Sequence, residues 1–132
     1  MRGRIAFVVV AALAVLAPPA PAAADAQLAA LLDRSNQQFF RGDYTGAASG
    51  YQRLVELGAG DARVLFNLGT AQARADQLGP AIHALRRAAS LEPGNAQVLQ
   101  NLATVQAMAR ARYTATDRGA LKGADREGGV SR

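Results

Sequence analysis

The side chains that could make or break bonds are few in this sequence and far apart. His83 is the single histidine among 132 residues, and cysteine is absent. Thiol catalysis, cysteine metal sites, disulfide staples and a lipid-modified N-terminal cysteine are therefore excluded. A histidine with no second ligand at metal spacing reads as a solvated residue, with neither a zinc site nor a general base around it. Asp76 and Glu92 stand alone in turn-like stretches, without the facing carboxylate that hydrolysis of sugars requires. No strand precedes a glycine-rich run, so a phosphate-binding loop has no context. The expectation is a protein that is not an enzyme and that takes no cofactor and no metal.

The formal net charge of +5 suggests an acidic partner, but its distribution removes most of that meaning. Arg2 and Arg4 precede an apolar run. From Asp25 to Ala109 seven arginines are balanced by seven carboxylates, and no lysine occurs there. The excess lies after Ala109, in Arg110, Arg112, Arg118, Lys122, Arg126 and Arg132 against Asp117, Asp125 and Glu127. Such a basic, aromatic-poor end can touch phosphates or anionic lipids through screened charge. Its glycines and its lack of periodic apolar residues predict a disordered tail over 113–132 and no nucleic-acid partner.

The elements that must position anything else are set by a repeat. An offset of 34 residues places Tyr44 on Leu78, Ala47 on Ala81, Tyr51 on Leu85, Leu57 on Leu91, Val64 on Val98, Asn67 on Asn101 and Leu68 on Leu102. A period of this length with small and turn residues at matched places signals helical hairpins. Five helices follow. Asp25 caps the first, which carries Leu28, Leu31, Leu32 and Phe39 and closes at Gly42; Asp43 caps the second, with Ala47, Ala48, Tyr51 and Leu54 inward. Gly46 and Gly50 within it cost about 1 kcal/mol each relative to alanine, and their use is to let a neighbouring helix come close. Asp61 starts the third helix, with Gly69 at a tight crossing. The fourth tolerates Pro80 in its first turn, and Asn95 caps the fifth. The fold class is all-α: two hairpins and a terminal capping helix, a short solenoid over 25–112.

Residues 1–24 read as a secretory signal. Arg2 and Arg4 lead into the apolar run Ile5–Leu16, followed by Pro18, Pro19, Pro21 and Ala22–Ala24. Twelve apolar residues are too few to span a bilayer, which needs roughly 20. Cleavage is expected after Ala24, with cuts after Ala22 or Ala26 also fitting the small-residue rule. The mature chain then has no transmembrane span and is secreted across the inner membrane, to a bacterial periplasm.

The stretch Leu65-x-x-Leu68-Gly69, Ala81-x-x-x-Leu85, Ala88 and Pro93 resembles the tetratricopeptide repeat, as does the turn Glu92-Pro93-Gly94-Asn95. The first hairpin matches through Gly42-Asp43-Tyr44, Ala47 and Tyr51. Arg34 and Ser35 stand there where the family prefers Leu-Gly, which implies a shifted register for the first helix. The leader together with Ser35-Asn36, Phe39, Gly42-Asp43-Tyr44 and Leu65-Phe66-Asn67-Leu68-Gly69 is also similar to tetratricopeptide proteins of bacterial aerotolerance operons. Those commonly add a membrane helix and a small β-barrel after the repeats, and neither is read in this sequence.

The resemblance implies that the first helix of each hairpin lines a concave groove. Its positions hold Leu32, Asn36, Phe39 and Phe40, then Arg63, Phe66, Asn67, Thr70 and Arg74, then Gln100, Asn101 and Thr104. Asparagine amides suit a peptide backbone, Phe40 and Phe66 offer apolar contact, and Arg63 and Arg74 can meet carboxylates. For Phe39 and Asn67 a structural role stands beside this one, in the core and as a link between helices. The family's two-lysine carboxylate clamp is not supported, because the repeats hold no lysine. On the fifth helix Val98, Leu102 and Val105 are less polar than an ideal cap, so a partner protein or a second copy is expected to cover them. An adaptor for an envelope protein or peptide is the primary expectation. A structural subunit packed permanently through the last helix is the alternative.

Overall fold

The structure, a computed structural model, describes residues 20–127, with side chains described as far as residue 120. Most of the expected leader and the last five residues of the expected tail lie outside the described residues. Five helices follow in order: α1 (Pro21–Phe40), α2 (Tyr44–Glu56), α3 (Ala62–Arg74), α4 (Leu78–Leu91) and α5 (Ala96–Glu127). Each packs on the next, and α3 also touches α5. The described residues are all-α: two helical hairpins, α1 with α2 and α3 with α4, closed by α5.

The starts of α2, α3 and α5 are set by side chains that take up orphan backbone donors. Asp43 Oδ1 accepts from the Gly46 N–H at 2.9 Å, Asp61 Oδ1 from Val64 at 2.7 Å, and Asn95 Oδ1 from Gln97 and Val98 at 3.1 and 3.2 Å. Asp25 does not cap α1. That helix begins at Pro21, behind Ala20, which makes no side-chain cap bond. Proline is preorganised for a first helical position and alanine is the best helix former, so Pro21–Ala24 carry the helix upstream of Asp25.

The core runs through the stack without a gap. Ala47, Ala48, Tyr51 and Leu54 of α2 pack with Val64, Leu68 and Ala71 of α3, and Leu28, Leu31, Leu32 and Phe39 of α1 close over them. The two hairpins solve their crossings differently. In the second, Gly69 lies under Leu85 and Ala81. In the first, Ser35 occupies the place one period before Gly69 and is completely buried, donating its hydroxyl to Leu31 O at 2.7 Å. The space comes from the opposite helix, because a Cβ at Gly50 would overlap Ser35 Oγ. The small residue has changed partner across the crossing.

Helix α5 departs twice from expectation. Val98 and Val105 are 2% and 4% exposed, and Leu102 packs with them against Leu78, Ala81, Leu85 and Ala88. These three residues are thus inward and covered by this chain's own α3 and α4, so they do not form a partner face. The helix also continues to Glu127 where a disordered tail is expected from residue 113. Once α5 is docked, each further residue adds a hydrogen bond without a new nucleation cost, and 113–118 contains neither glycine nor proline to stop it.

Arg112, one of the excess cations, is engaged: its guanidinium grips Asp76 in the α3–α4 turn through two hydrogen bonds, one of 3.0 Å. Asp76 has φ 66°, the left-handed conformation that Gly42 adopts one period earlier at 83°. The hydrogen bond from Arg112 holds the Asp76 carboxyl below the usual carboxylate range. A carboxyl lowered on folding stabilises the fold above its unfolded pKa, about 3.9, and that contribution is lost as pH falls through the lower folded value. Asp76→Asn, which also tolerates the left-handed turn, is expected to melt slightly below wild type at pH 7. In thermal melts the gap should close as pH drops below about 4; a gap independent of pH would show that the pair does not stabilise the fold.

Candidate functional site

Helices α1, α3 and α5 lie side by side on one face of the stack, and between them is a cavity of about 460 Å³. Helix α1 contributes Asn36, Phe39 and Phe40, and α3 contributes Phe66, Asn67 and Thr70. Gln97 and Asn101 come from α5, and Tyr51 reaches the cavity from α2 below. Seven of the residues expected in a groove, Asn36, Phe39, Phe40, Phe66, Asn67, Thr70 and Asn101, are brought together here. The spacing on α3 explains why: positions 63, 66, 67, 70 and 74 recur at three and four residues, one stripe of a 3.6-residue helix.

The two arginines at the ends of that stripe lie outside the cavity. Arg63 lines an adjoining crevice with Phe66, Glu92, Asn95 and Gln97. Arg74 lies over the Tyr44 ring, 5.6 Å from its centroid, a geometry in which the ring's negative face attracts the cation. Tyr44 meets Phe39 edge-on at 5.3 Å, and Phe39 meets Phe40 at 6.2 Å. This aromatic series closes one end of the cavity, while Phe40 itself is 86% exposed. Eleven residues of helix separate the arginines, about 16 Å, the length of an extended segment of about five residues.

The hydrogen bonds decide what the cavity can offer. Tyr51 donates its hydroxyl to Asn36 Oδ1 at 2.7 Å, which leaves the Asn36 Nδ2 hydrogens unused. Thr70 donates to Phe66 O at 2.8 Å and accepts from Asn101 Nδ2 at 3.0 Å, which leaves Asn101 Oδ1 open. The Asn67 side chain makes no hydrogen bond among the described residues. The bridge between neighbouring helices, considered for Asn67, is therefore made by Asn101. Together the three amides present donors and acceptors on three adjacent helices, in half-buried positions where each bond counts for more than in open water. Burial raises the pKa of Tyr51, so its hydroxyl stays protonated and able to donate.

No family model and no curated protein matches this chain. What the cavity can do therefore follows from its own residues.

Three other expected groove residues lie elsewhere. Leu32 packs into the core beside α2 and α3, and Gln100 and Thr104 are exposed along α5, with Thr104 Oγ1 bonded to Gln100 O. Two lining residues escaped sequence reasoning. Gln97 lies one period after Arg63, so the 34-residue offset already pointed to it. Tyr51 reads as core, which it is at 2% exposure; only its 15-residue link to Asn36 reveals its second role. The residues weighed for catalysis do not converge. His83 is exposed on α4, Asp76 is held by Arg112, and Glu92 Oε2 accepts from Asn95 Nδ2 at 2.7 Å. Among the described residues no three His, Asp or Glu side chains cluster at metal spacing, and no helix is long and apolar enough to cross a membrane.

Proposed function

We propose that this protein is an adaptor of the tetratricopeptide kind that holds an extended segment of another protein in the cavity between α1, α3 and α5. The observation that carries the reading is the set of three asparagine amides with unused donors and acceptors beside the exposed ring of Phe40 and the half-buried ring of Phe66. Main-chain amides of an extended peptide need such bidentate partners, and an apolar side chain of the peptide would fill the space against the two rings. Arg63 and Arg74, at either end of α3, favour acidic residues flanking that apolar one. With residues 1–24 read as a leader, the encounter belongs in the bacterial periplasm, with an envelope protein as partner.

Selection from a random peptide library on the immobilised protein tests the reading. Enriched peptides are expected to combine an apolar residue with nearby carboxylates. Asn67→Ala and Phe66→Ala should each weaken their binding about tenfold or more, equivalent to about 1.4 kcal/mol. Arg63→Glu should weaken acidic peptides selectively. Asn67 and Phe66 line the cavity and Arg63 the crevice beside it, and the helical circular dichroism signal should be unchanged. Failure to enrich any peptide, or binding indifferent to Phe66→Ala and Arg63→Glu, would remove the proposal.

A further inference from the structure

The lining of the cavity between α1, α3 and α5 carries no charged side chain. Its polar side chains are the amides of Asn36, Asn67, Gln97 and Asn101 and the hydroxyls of Tyr51 and Thr70. Both arginines of the α3 stripe lie outside it, Arg63 in the next crevice and Arg74 over Tyr44. A carboxylate or ammonium entering the cavity would lose water without gaining a counter-ion, which disfavours a charged guest. A hydrocarbon guest fails for the opposite reason: it would shut water away from the open groups of the three asparagines and give them no partner in return. The cavity therefore suits a neutral group that is apolar over most of its surface and polar at its tip.

The polar tip is specified by the bonds already made. Asn36 Oδ1 is engaged by Tyr51, which leaves its Nδ2 donor open, and Asn101 Nδ2 is engaged by Thr70, which leaves its Oδ1 acceptor open. Asn67, on the helix between them, offers both a donor and an acceptor. A hydroxyl matches this set because it gives one proton and accepts through its lone pairs, whereas an indole N–H only donates and a thioether only accepts. The apolar part is specified by the rings. Phe39, Phe40 and Phe66 line the wall, and Phe39 already meets Phe40 edge-on at 6.2 Å. A further ring extends such a series with a gain beyond its buried area, which an aliphatic chain lacks. At about 460 Å³ the cavity is near the small end of ligand sites, about 300–1,000 Å³, and suits one side chain with the main chain beside it.

We propose that the residue seated in the cavity is a tyrosine of the bound segment, its ring against Phe40 and Phe66 and its hydroxyl among the three asparagine amides. The assignment rests on the peptide-binding reading above and narrows it from any apolar side chain to a phenol.

The test compares ligands that differ by one hydroxyl. Two short peptides, identical but for a central tyrosine or phenylalanine between glutamates, and the bare side chains p-cresol and toluene, are titrated into the full chain and followed by the side-chain amide signals of Asn36, Asn67 and Asn101 in NMR spectra. The tyrosine peptide and p-cresol should each bind about tenfold more tightly than their counterparts, equivalent to about 1.4 kcal/mol, and should move the asparagine signals. Asn67→Leu removes polar atoms that make no hydrogen bond within the described residues, so it should narrow the preference for tyrosine severalfold with the melting temperature little changed. Equal binding of the two peptides would overturn the tyrosine assignment and leave the peptide reading standing. Toluene held as tightly as p-cresol, or a preference that Asn67→Leu does not move, would also overturn it. Binding of p-cresol with neither peptide held would overturn the peptide reading, and with it a protein segment as the source of the phenol.

Discussion

Tyr51→Ala is expected to lower the unfolding free energy by about 3–5 kcal/mol, much of the stability of a domain of this size. The ring is 2% exposed and packs between α1 and α3, so truncation leaves a void that alanine-rich neighbours have little freedom to fill. The loss should appear in urea unfolding as a midpoint lowered by about 1–3 M; a shift within error would show that the ring is not the keystone its burial indicates. Tyr51→Phe separates the hydroxyl from the ring. It keeps the packing, leaves Asn36 Oδ1 without its donor and should cost only about 1 kcal/mol. Released from that bond, Asn36 can rotate, so the phenylalanine variant should also bind selected peptides less tightly. pH gives a further readout. Burial raises the Tyr51 pKa, so its contribution to stability is complete below the unfolded value, about 10, and is lost as pH rises through the folded value. The alkaline fall in wild-type stability should therefore be shallower in Tyr51→Phe.

Gly69→Val is expected to destabilise the second hairpin by about 2–3 kcal/mol. A Cβ at Gly69 would stand 2.6 Å from Leu85 Cγ and 3.1 Å from Ala81 O. Neither is the free end of a flexible chain: one is a branch point in the core and the other is backbone. Helices α3 and α4 would have to separate, and Leu85, completely buried, would leave its contacts with Val105. Even alanine, which gains about 0.5–1 kcal/mol in helix propensity over glycine, should be a net loss here. Gly79→Ala is the control. A Cβ at Gly79, on the outer turn of α4, would meet nothing within 4 Å, so the change should be neutral or slightly stabilising. Thermal melts that place Gly69→Val beside Gly79→Ala would refute the close crossing.

Much of this architecture is readable in one dimension because the determinants are local. Asp43, Asp61 and Asn95 cap within three residues of themselves, and the small and large residues of each hairpin repeat at a fixed offset. The start of α1 is less legible, since Pro21–Ala24 suits both the end of a leader and the first turn of a helix. The length of α5 is less legible too, because a helix projecting beyond its body needs no apolar stripe to advertise it.

The groove was half legible. The stripe on α3 is a matter of helical spacing, and Asn36, Phe40 and Asn101 follow from the stacking of like helices. Which of their amide groups are open is not, because that depends on Tyr51, 15 residues from Asn36, and on Thr70, 31 residues from Asn101.

By itself the sequence determined the all-α class, the two hairpins, the caps of α2, α3 and α5 and the absence of thiol chemistry, all properties of residue type and short-range spacing. The tertiary structure decided which of two apolar stripes on α5 is core. Val98 and Val105 turn inward to α3 and α4, and Leu99 and Tyr113 are left outside; both stripes have helical periodicity, and only the docking angle of α5 chooses between them. It also decided that Ser35 and Gly50 exchange the roles that Gly69 and its partner helix play in the next unit, and that Arg112 joins Asp76 across 36 residues. These are contacts between elements, where space and charge are shared by residues whose positions in the chain say nothing of each other.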